Sequence, residues 1–283
     1  MEKALKKYGW IFVLPTLLAF TIGFIVPFFE GLFLSFCKFT TVGNAKFIGI
    51  SNYIEALTDP LFIRSAGFTI AVTVVNILAI NILAFALAMA LTQKLKGTNF
   101  FRTIFFMPNL IGGIVLGYIW QILINGVLSL CGQPLLRLNA TAGYWGIIIL
   151  MCWQQIGYMM IIYIAGLQNV PEDLIEAAKI DGATDWQILW KVKIPMMMPS
   201  ITICVFLTLT NSLKLFDQNL ALTNGDPNHA TDMLALNIYY TFYGRAGGQW
   251  KGIGQAKSVI FSIVVVLIGF WQLRATRSKE VQA

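Results

Sequence analysis

The chain has 283 residues, of which 57% are hydrophobic and 12% are charged, and its mean hydropathy is +0.72. This composition leaves too little polar surface to cover a water-soluble globule, so most of the chain must face lipid or other membrane spans. The formal net charge of +7 is explained by membrane topology and attraction to anionic lipid headgroups, and it requires no nucleic acid partner.

Six apolar segments are long enough to cross a hydrocarbon layer of about 30 Å, which takes roughly 20 helical residues. They cover about 10–36, 65–91, 103–124, 143–168, 196–213 and 259–273. The sequence therefore predicts an all-α, polytopic membrane protein, with six transmembrane helices in a single transmembrane domain over 1–283.

The first span follows a short basic segment with Lys3, Lys6 and Lys7, as the apolar core of a signal peptide does. A cleavable core has about 7–15 residues and ends at small residues. Here the apolar run continues to Phe36 without a small-residue cleavage triplet, so the sequence predicts a retained span.

Basic residues in short connecting segments predict the orientation of the spans, because Lys and Arg stay preferentially on the cytoplasmic side. Two such segments, one after the second span and one after the sixth, contain Lys94, Lys96, Arg102, Arg274, Arg277 and Lys279. Both termini are therefore predicted to be cytoplasmic.

The residues that usually form metal or catalytic centres are sparse. Cys37, Cys131, Cys152 and Cys204 lack a paired metal-ligand spacing, and His229 is the only histidine. The sequence has no phosphate-binding loop and no Ser/His/Asp or Cys/His set. We expect no metal, cofactor or catalytic site, so uphill transport would take its energy from a partner or from an ion gradient.

Polar side chains at membrane depth usually face a cavity or another span. One broad face of the fourth span presents Gln154, Gln155 and Tyr158. One stripe of the fifth span presents Thr208, Asn211, Ser212 and Leu215. These groups either line a path for a polar substrate or only hydrogen-bond neighbouring spans.

A polar segment over 169–195 separates the fourth span from the fifth. Pro171 suits the first turn of a helix, and Glu172 and Asp173 complement the positive end of that helix. Gly182 is predicted to end the helix, and Thr184 is predicted to cap a second short helix.

Small residues surround two carboxylates in this polar segment. Ala177 and Ala178 follow Glu176, and Ala183 lies close to Asp181. A neighbouring backbone could approach closely while a carboxylate makes a charge-assisted contact. A docking helix for a partner protein and an amphipathic helix lying on lipid headgroups both fit this composition.

Three short motifs follow one another in this polar segment: Glu-Ala-Ala at 176–178, Gly182, and Val-Lys-Ile-Pro at 192–195. Together they resemble the signature cytoplasmic loop of permease subunits in bacterial ATP-binding cassette importers. Val192 and Ile194 stand where the pattern usually has Ile and Leu. Further similar blocks at 99–108, 165–168 and 222–227 extend the resemblance over nearly the whole chain. Together they are similar to the carbohydrate-uptake permeases, and most to the larger permease subunit of maltose transporters.

This resemblance implies a type I importer permease fold and a role as permease subunit, not enzyme, of an ATP-driven oligosaccharide importer. The implied partners are a second homologous permease subunit, two ATPase subunits that bind ATP and Mg, and an extracytoplasmic sugar-binding protein. The implied location is the bacterial cytoplasmic membrane. The residues implied to couple to an ATPase subunit are Glu176, Ala177, Ala178, Asp181 and Gly182.

The resemblance also implies a substrate site, because the matching stretch of the maltose permease contacts sugar. The implied substrate-binding residues are Gln154, Gln155, Tyr158, Thr208, Asn211, Ser212 and Leu215. The maltose subunit is richer in Asn and Phe along the fifth span, so the same sugar is not assumed. Lys214 and Asp217 nearby either pair with each other or contact substrate.

Two other functions compete with this one. An ion-coupled secondary transporter of a small polar solute would normally have an intramembrane carboxylate or inverted repeats, yet the deep parts of the spans lack Asp and Glu. A membrane enzyme or scaffold is the third hypothesis, and the sequence has no catalytic set for it.

Overall fold

The computed structural model describes residues 2–93, 96–245 and 247–277. Lys94 and Lys279, which contribute to the predicted orientation, lie outside the described residues. The structure places the N-terminal basic segment in a helix but does not describe the side chains of Lys3, Lys6, Lys7 and Arg277.

Five helices within the described ranges are long and apolar enough to cross a membrane. They give spans over Trp10–Leu34, Pro60–Leu91, Gly113–Leu130, Ala140–Gln168 and Gly248–Ala275. A bent pair, Asp185–Met196 and Met198–Leu213, supplies a sixth span if it is counted as one, and its two parts meet at 72°. Five of the six predicted spans therefore correspond to long apolar helices, and the predicted fifth span corresponds to the bent pair.

The helices are numbered here in chain order. They are α1 (Glu2–Phe20), α2 (Val26–Leu34), α3 (Ser51–Thr58), α4 (Pro60–Leu91), α5 (Thr98–Phe106), α6 (Gly113–Leu130), α7 (Ala140–Gln168), α8 (Glu172–Ile180), α9 (Asp185–Ile188), α10 (Ile194–Met196), α11 (Met198–Leu213), α12 (Asp217–Leu222), α13 (Leu234–Tyr239) and α14 (Gly248–Arg277). Five-residue π-helical turns occupy Thr21–Ile25, Leu189–Lys193 and Tyr240–Gly244. Single 3-10 turns occupy Val42–Asn44, Met107–Leu110 and Leu136–Leu138. The described strands are one antiparallel pair, β1 (Cys37–Lys38) and β2 (Lys46–Phe47).

The third span lies further along the chain than predicted. A 3-10 turn at Met107–Leu110 divides the predicted 103–124 segment, so α5 ends before it and α6 begins at Gly113. Pro108 lacks the amide hydrogen that a continuing α-helix needs, and Ile111 and Gly112 are extended. A hydropathy profile alone does not show this break. The start of the third span, predicted at residue 103, is corrected to residue 113.

The last helix is longer than the predicted 259–273, because α14 begins at Gly248. Lys251 and Lys257 lower the hydropathy of its first turns and made that part resemble a loop in the sequence. In the structure both lysines belong to the helix, and Lys257 is fully buried.

The chain forms two compact units. The larger unit covers Ile63–Asn237 and resumes at Ile263 in α14, and the smaller unit covers the chain up to Phe62 together with Ile238–Ser262. Helix α7 is central to the larger unit, and its fully buried side chains include Ile147, Leu150 and Met159. Because lipid is as apolar as these side chains, close van der Waals packing rather than the hydrophobic effect holds such helices together.

Glycines permit the closest helix contacts in the larger unit. At Gly157 of α7, an added Cβ would overlap the backbone carbonyl of Phe105 at the end of α5. At Gly117 of α6, an added Cβ would press on Ala221 of α12. These contacts fix α5 and α12 against the long spans.

Replacing Gly157 with alanine is expected to destabilise the folded protein by about 1–3 kcal/mol, because α5 must move away from α7 to admit the methyl group. The matched control is Gly126→Ala in α6, where an added Cβ meets nothing within 4 Å. The control should be neutral or slightly stabilising, since alanine has the higher helix propensity. Thermal unfolding in detergent compares the two variants, and equal midpoints would contradict the close α5–α7 contact.

The smaller unit contains a buried ion pair. The Lys257 ammonium donates hydrogen bonds to Asp59 Oδ2 at 2.7 Å and to Thr241 Oγ1 at 2.8 Å. The ammonium also lies 5.2 Å from the centre of the Phe62 ring. Burial raises the pKa of Asp59, but the hydrogen bond and charge of Lys257 outweigh burial and hold the pKa below its usual range. The pair therefore joins α14 to the segment between α3 and α4.

Candidate functional site

The polar segment over 169–195 folds into the two short helices predicted from the sequence. Helix α8 follows Pro171, and Glu172 and Asp173 lie in its first turn. Gly182 ends the helix in the left-handed region with φ of 79°, as glycine does most readily. The helix and its stop at Gly182 are therefore confirmed.

The second short helix begins with a reciprocal cap at Thr184. The Thr184 hydroxyl accepts from the Gln187 amide at 3.4 Å, and Gln187 Oε1 accepts from the Thr184 amide at 2.8 Å. This capping box satisfies two amides that the helix itself leaves unpaired. The predicted cap is confirmed, and it ties the chain after Gly182 to the start of α9.

The predicted coupling residues lie on the surface of α8 and the turn after it. Glu176, Ala177, Asp181 and Gly182 are exposed, and Ala178 is half-buried. Their side chains are therefore accessible to another protein in the described structure.

An aromatic pair beside these residues was not singled out in the sequence. Trp186 is 68% exposed, and its ring packs edge-on against exposed Trp190 with centroids 5.6 Å apart. Ile180 at the end of α8 is 86% exposed. Exposed apolar side chains in contact with each other, such as the two tryptophans, typically mark an interaction surface. Their spacing by four residues was the available signal.

A cavity of about 320 Å³ lies beside α7, α11 and α12. Its lining residues are Asn109, Met151, Gln154, Gln155, Asn211, Lys214, Leu215, Phe216, Asp217 and Gln218. The structure thus brings four predicted site residues, Gln154, Gln155, Asn211 and Leu215, to one cavity.

Amide side chains dominate the polar part of this lining. Gln218 Nε2 donates to Gln154 Oε1 at 2.8 Å, and Gln154 Nε2 donates to the Ile111 carbonyl at 3.3 Å. Gln155 is 5% exposed, and its Oε1 has no hydrogen-bond partner. Leaving a buried acceptor unpaired costs about 1–3 kcal/mol, and protein atoms enclose this oxygen in the described structure.

The cavity also contains two charged side chains. Lys214 follows the last residue of α11, and Asp217 is the first residue of α12. Both are exposed, and within the described structure no ion pair joins them. Of the two possibilities left open by the sequence, direct pairing is therefore not observed.

Three predicted site residues lie outside this cavity. Thr208 is buried, accepts from Asn81 Nδ2 at 3.3 Å and donates to the Cys204 carbonyl at 2.8 Å. Ser212 is buried and accepts from Asn76 Nδ2 at 3.3 Å. Both hydroxyls therefore bond to α4, which matches the second possibility left open by the sequence, that such groups hydrogen-bond neighbouring spans.

Tyr158 also lies away from the cavity lining. Its half-buried ring packs near Phe106, with centroids 6.4 Å apart. The step of four residues between Gln154 and Tyr158 places them one turn apart on α7, and only the turn with Gln154 reaches the cavity.

Three lining residues, Asn109, Met151 and Gln218, were missed as members of the site. Asn109 follows Pro108 in the 3-10 turn before α6, and Gln218 lies in the short α12. The break at Pro108 was the available signal for Asn109, because interrupted helices often supply polar groups to membrane cavities.

The described residues contain no group of three or more His, Cys, Asp or Glu side chains that could hold a metal ion.

A family model described as the binding-protein-dependent transport system inner membrane component matches residues 80–277. A probable permease protein for starch degradation products from Thermoanaerobacterium thermosulfurigenes is 41% identical over 282 residues, covering 96% of this chain and 95% of that protein. A permease protein of a multiple sugar-binding transport system from Streptococcus mutans is 33% identical and covers 99% of each chain. A trehalose/maltose permease protein from Thermococcus litoralis is 27% identical, covering 97% of this chain and 95% of that protein.

The fold is also similar to solved structures. A chain of a bacterial ATP-binding cassette transporter involved in alginate import matches with a TM-score of 0.82 at 21% identity, covering 98% of each chain. A chain of a methionine ATP-binding cassette transporter matches with a TM-score of 0.57 at 21% identity, covering 78% of this chain and 97% of that one. At these identities the likeness shows the fold alone, and the predicted importer permease fold is confirmed.

Proposed function

We propose, since this chain belongs to the inner membrane components of binding-protein-dependent transport systems, that it is the permease subunit of an ATP-driven oligosaccharide importer. The observation that carries the proposal is the cavity beside α7, α11 and α12, where amide side chains surround a space of about 320 Å³. Sugar hydroxyls both donate and accept hydrogen bonds, as the carboxamides of the cavity lining do. In this proposal Gln154, Gln155, Asn211 and Leu215 contact the sugar.

The names of the relatives support this substrate class. They refer to starch degradation products, to multiple sugars and to trehalose or maltose. All three relatives align with this chain over nearly its full length. The cavity in this chain has the polar lining that such substrates require.

The energy source in this proposal is a separate ATPase. The importer would combine this chain with a second homologous permease, two ATPase subunits that bind ATP and Mg, and an extracytoplasmic sugar-binding protein. Both termini and the polar segment over 169–195 would be cytoplasmic, as the basic residues of the short loops indicate. The exposed residues of α8, with Trp186 and Trp190 beside them, would dock on an ATPase subunit.

The chain itself links this docking surface to the cavity. Helix α9 continues through the π-helical turn and α10 to the 72° bend at Met197, and α11 begins immediately after it. The other end of α11 supplies Asn211 to the cavity, and Lys214 and Leu215 follow directly. An ATPase pair that binds α8 differently in its open and closed states would shift the equilibrium between two arrangements of α11.

Uptake of labelled maltotriose into vesicles with the complete importer tests the proposal. Transport should fall to background when the ATPase partner carries a substitution that blocks hydrolysis. An imposed proton or sodium gradient should not restore it. Continued uptake on a gradient alone would instead support the ion-coupled secondary transporter and overturn the proposal.

A further inference from the structure

We infer that Lys214 and Asp217 together determine substrate specificity, restricting the cavity to uncharged oligosaccharides. This inference rests on the proposed function and deepens it, because it assigns a charge class to the substrate of the same cavity. Lys214 and Asp217 are the two charged side chains among the ten lining residues, so the lining has no net charge.

Both charges are available to a bound molecule. The two residues occupy the short link between α11 and α12, separated by Leu215 and Phe216, which also line the cavity. No ion pair joins Lys214 to Asp217 in the part of the chain that the structure describes. Charged groups at a membrane cavity that do not pair with each other interact with water or with what enters.

The two charges together disfavour an acidic sugar. A uronate carboxylate that is attracted to Lys214 is also repelled by Asp217, which lines the same cavity. Like charges repel more strongly where protein replaces water. A neutral hydroxyl can instead donate to Asp217 and accept from Lys214.

The inference predicts opposite effects for the two charge-removing variants. Asp217→Asn makes the lining net positive and should raise the binding of an acidic trisaccharide relative to a neutral one by about tenfold. Lys214→Gln makes the lining net negative and should lower that ratio. The double variant has a neutral lining again, and its ratio should return toward the wild-type value.

Saturation-transfer NMR on the purified complete importer measures this ratio, with maltotriose as the neutral probe and trigalacturonate as the acidic probe. The matched control is Glu55→Gln, which removes an exposed carboxylate that does not line the cavity. An Asp217→Asn ratio equal to that of the control would overturn the inference. Should Asp217→Asn fail to fold, an unchanged ratio in Lys214→Gln would overturn it equally.

The same measurement separates this inference from the proposed function. A wild-type maltotriose signal with ratios that do not respond to either charge overturns only the assignment of Lys214 and Asp217. A wild-type importer that binds neither trisaccharide contradicts the sugar substrate itself, and the inference with it.

Discussion

Exchanging Glu176 for lysine is expected to reduce sugar uptake at least 100-fold, because the variant should no longer hold the ATPase. Glu176 is exposed on α8, and the small residues Ala177 and Ala178 follow it directly. A closely approaching partner would leave little room for the longer lysine side chain. A desolvated charge that loses its partner in a protein interface costs about 2–5 kcal/mol. Copurification of the ATPase with the permease, together with uptake in vesicles, measures the effect.

The matched control for this charge reversal is Glu55→Lys on α3, another exposed carboxylate on a short helix. It should leave ATPase copurification unchanged. If Glu176→Lys also retained the ATPase and transported sugar at the wild-type rate, α8 could not be the coupling helix. The amphipathic helix on lipid headgroups would then be the better interpretation of the segment.

Removing Asp59 should be the most destabilising single change in the smaller unit. Asp59→Ala leaves the fully buried Lys257 ammonium without its carboxylate partner, although Thr241 Oγ1 remains 2.8 Å away. Breaking a buried ion pair from one side costs about 3–5 kcal/mol. We therefore expect a large drop in the thermal midpoint of the purified protein in detergent.

The double variant Asp59→Ala with Lys257→Met is the control, since removing both charges leaves no buried ion unpaired. It should recover most of the lost stability. A single variant as stable as the double variant would contradict the structural importance of the pair.

The pH dependence of stability should report the same pair. The pKa of Asp59 is lower in the folded protein than its ordinary value of 3.8. A carboxylate of this kind contributes stability above its unfolded pKa and loses that contribution as pH falls through the folded pKa. The wild type should therefore lose stability below about pH 4 more steeply than the double variant.

Local features were predictable from the sequence because their causes are local. Pro171, Gly182 and Thr184 act through backbone geometry within a few residues, and they predict both ends of α8 and the start of α9. The second helix was predicted to run to Lys191, but α9 ends at Ile188 and continues as a π-helical turn. The Glu-Ala-Ala loop and its flanking blocks also predicted the family, which the comparisons confirm.

The composition of the cavity was only partly predictable, because it depends on how helices rotate against one another. Thr208, Asn211, Ser212 and Leu215 share a stripe of α11, or follow directly from it, in the sequence. In the structure Thr208 and Ser212 bond to Asn81 and Asn76 of α4, while Asn211 and Leu215 line the cavity. The helical period predicts which residues share a face of α11. It does not predict which neighbouring helix each of those residues contacts.

Lys257 shows a different limit of sequence reasoning. From the sequence, a lysine near an apolar segment is assigned to a loop, because a hydropathy scale treats its charge as unpaired. Asp59 lies almost two hundred residues earlier in the chain, and no pattern in the sequence joins the two. Their pairing lets a charged side chain lie within the first turns of α14.

Because α11 begins at the sharp bend at Met197, a rotation about that bend would move the far end of the helix. With 16 residues the helix is about 24 Å long. A rotation of roughly 10° about the bend would displace its far end by about 4 Å. That displacement exceeds the length of a hydrogen bond, so a small movement of the short helices is geometrically sufficient to break a hydrogen bond made by Asn211.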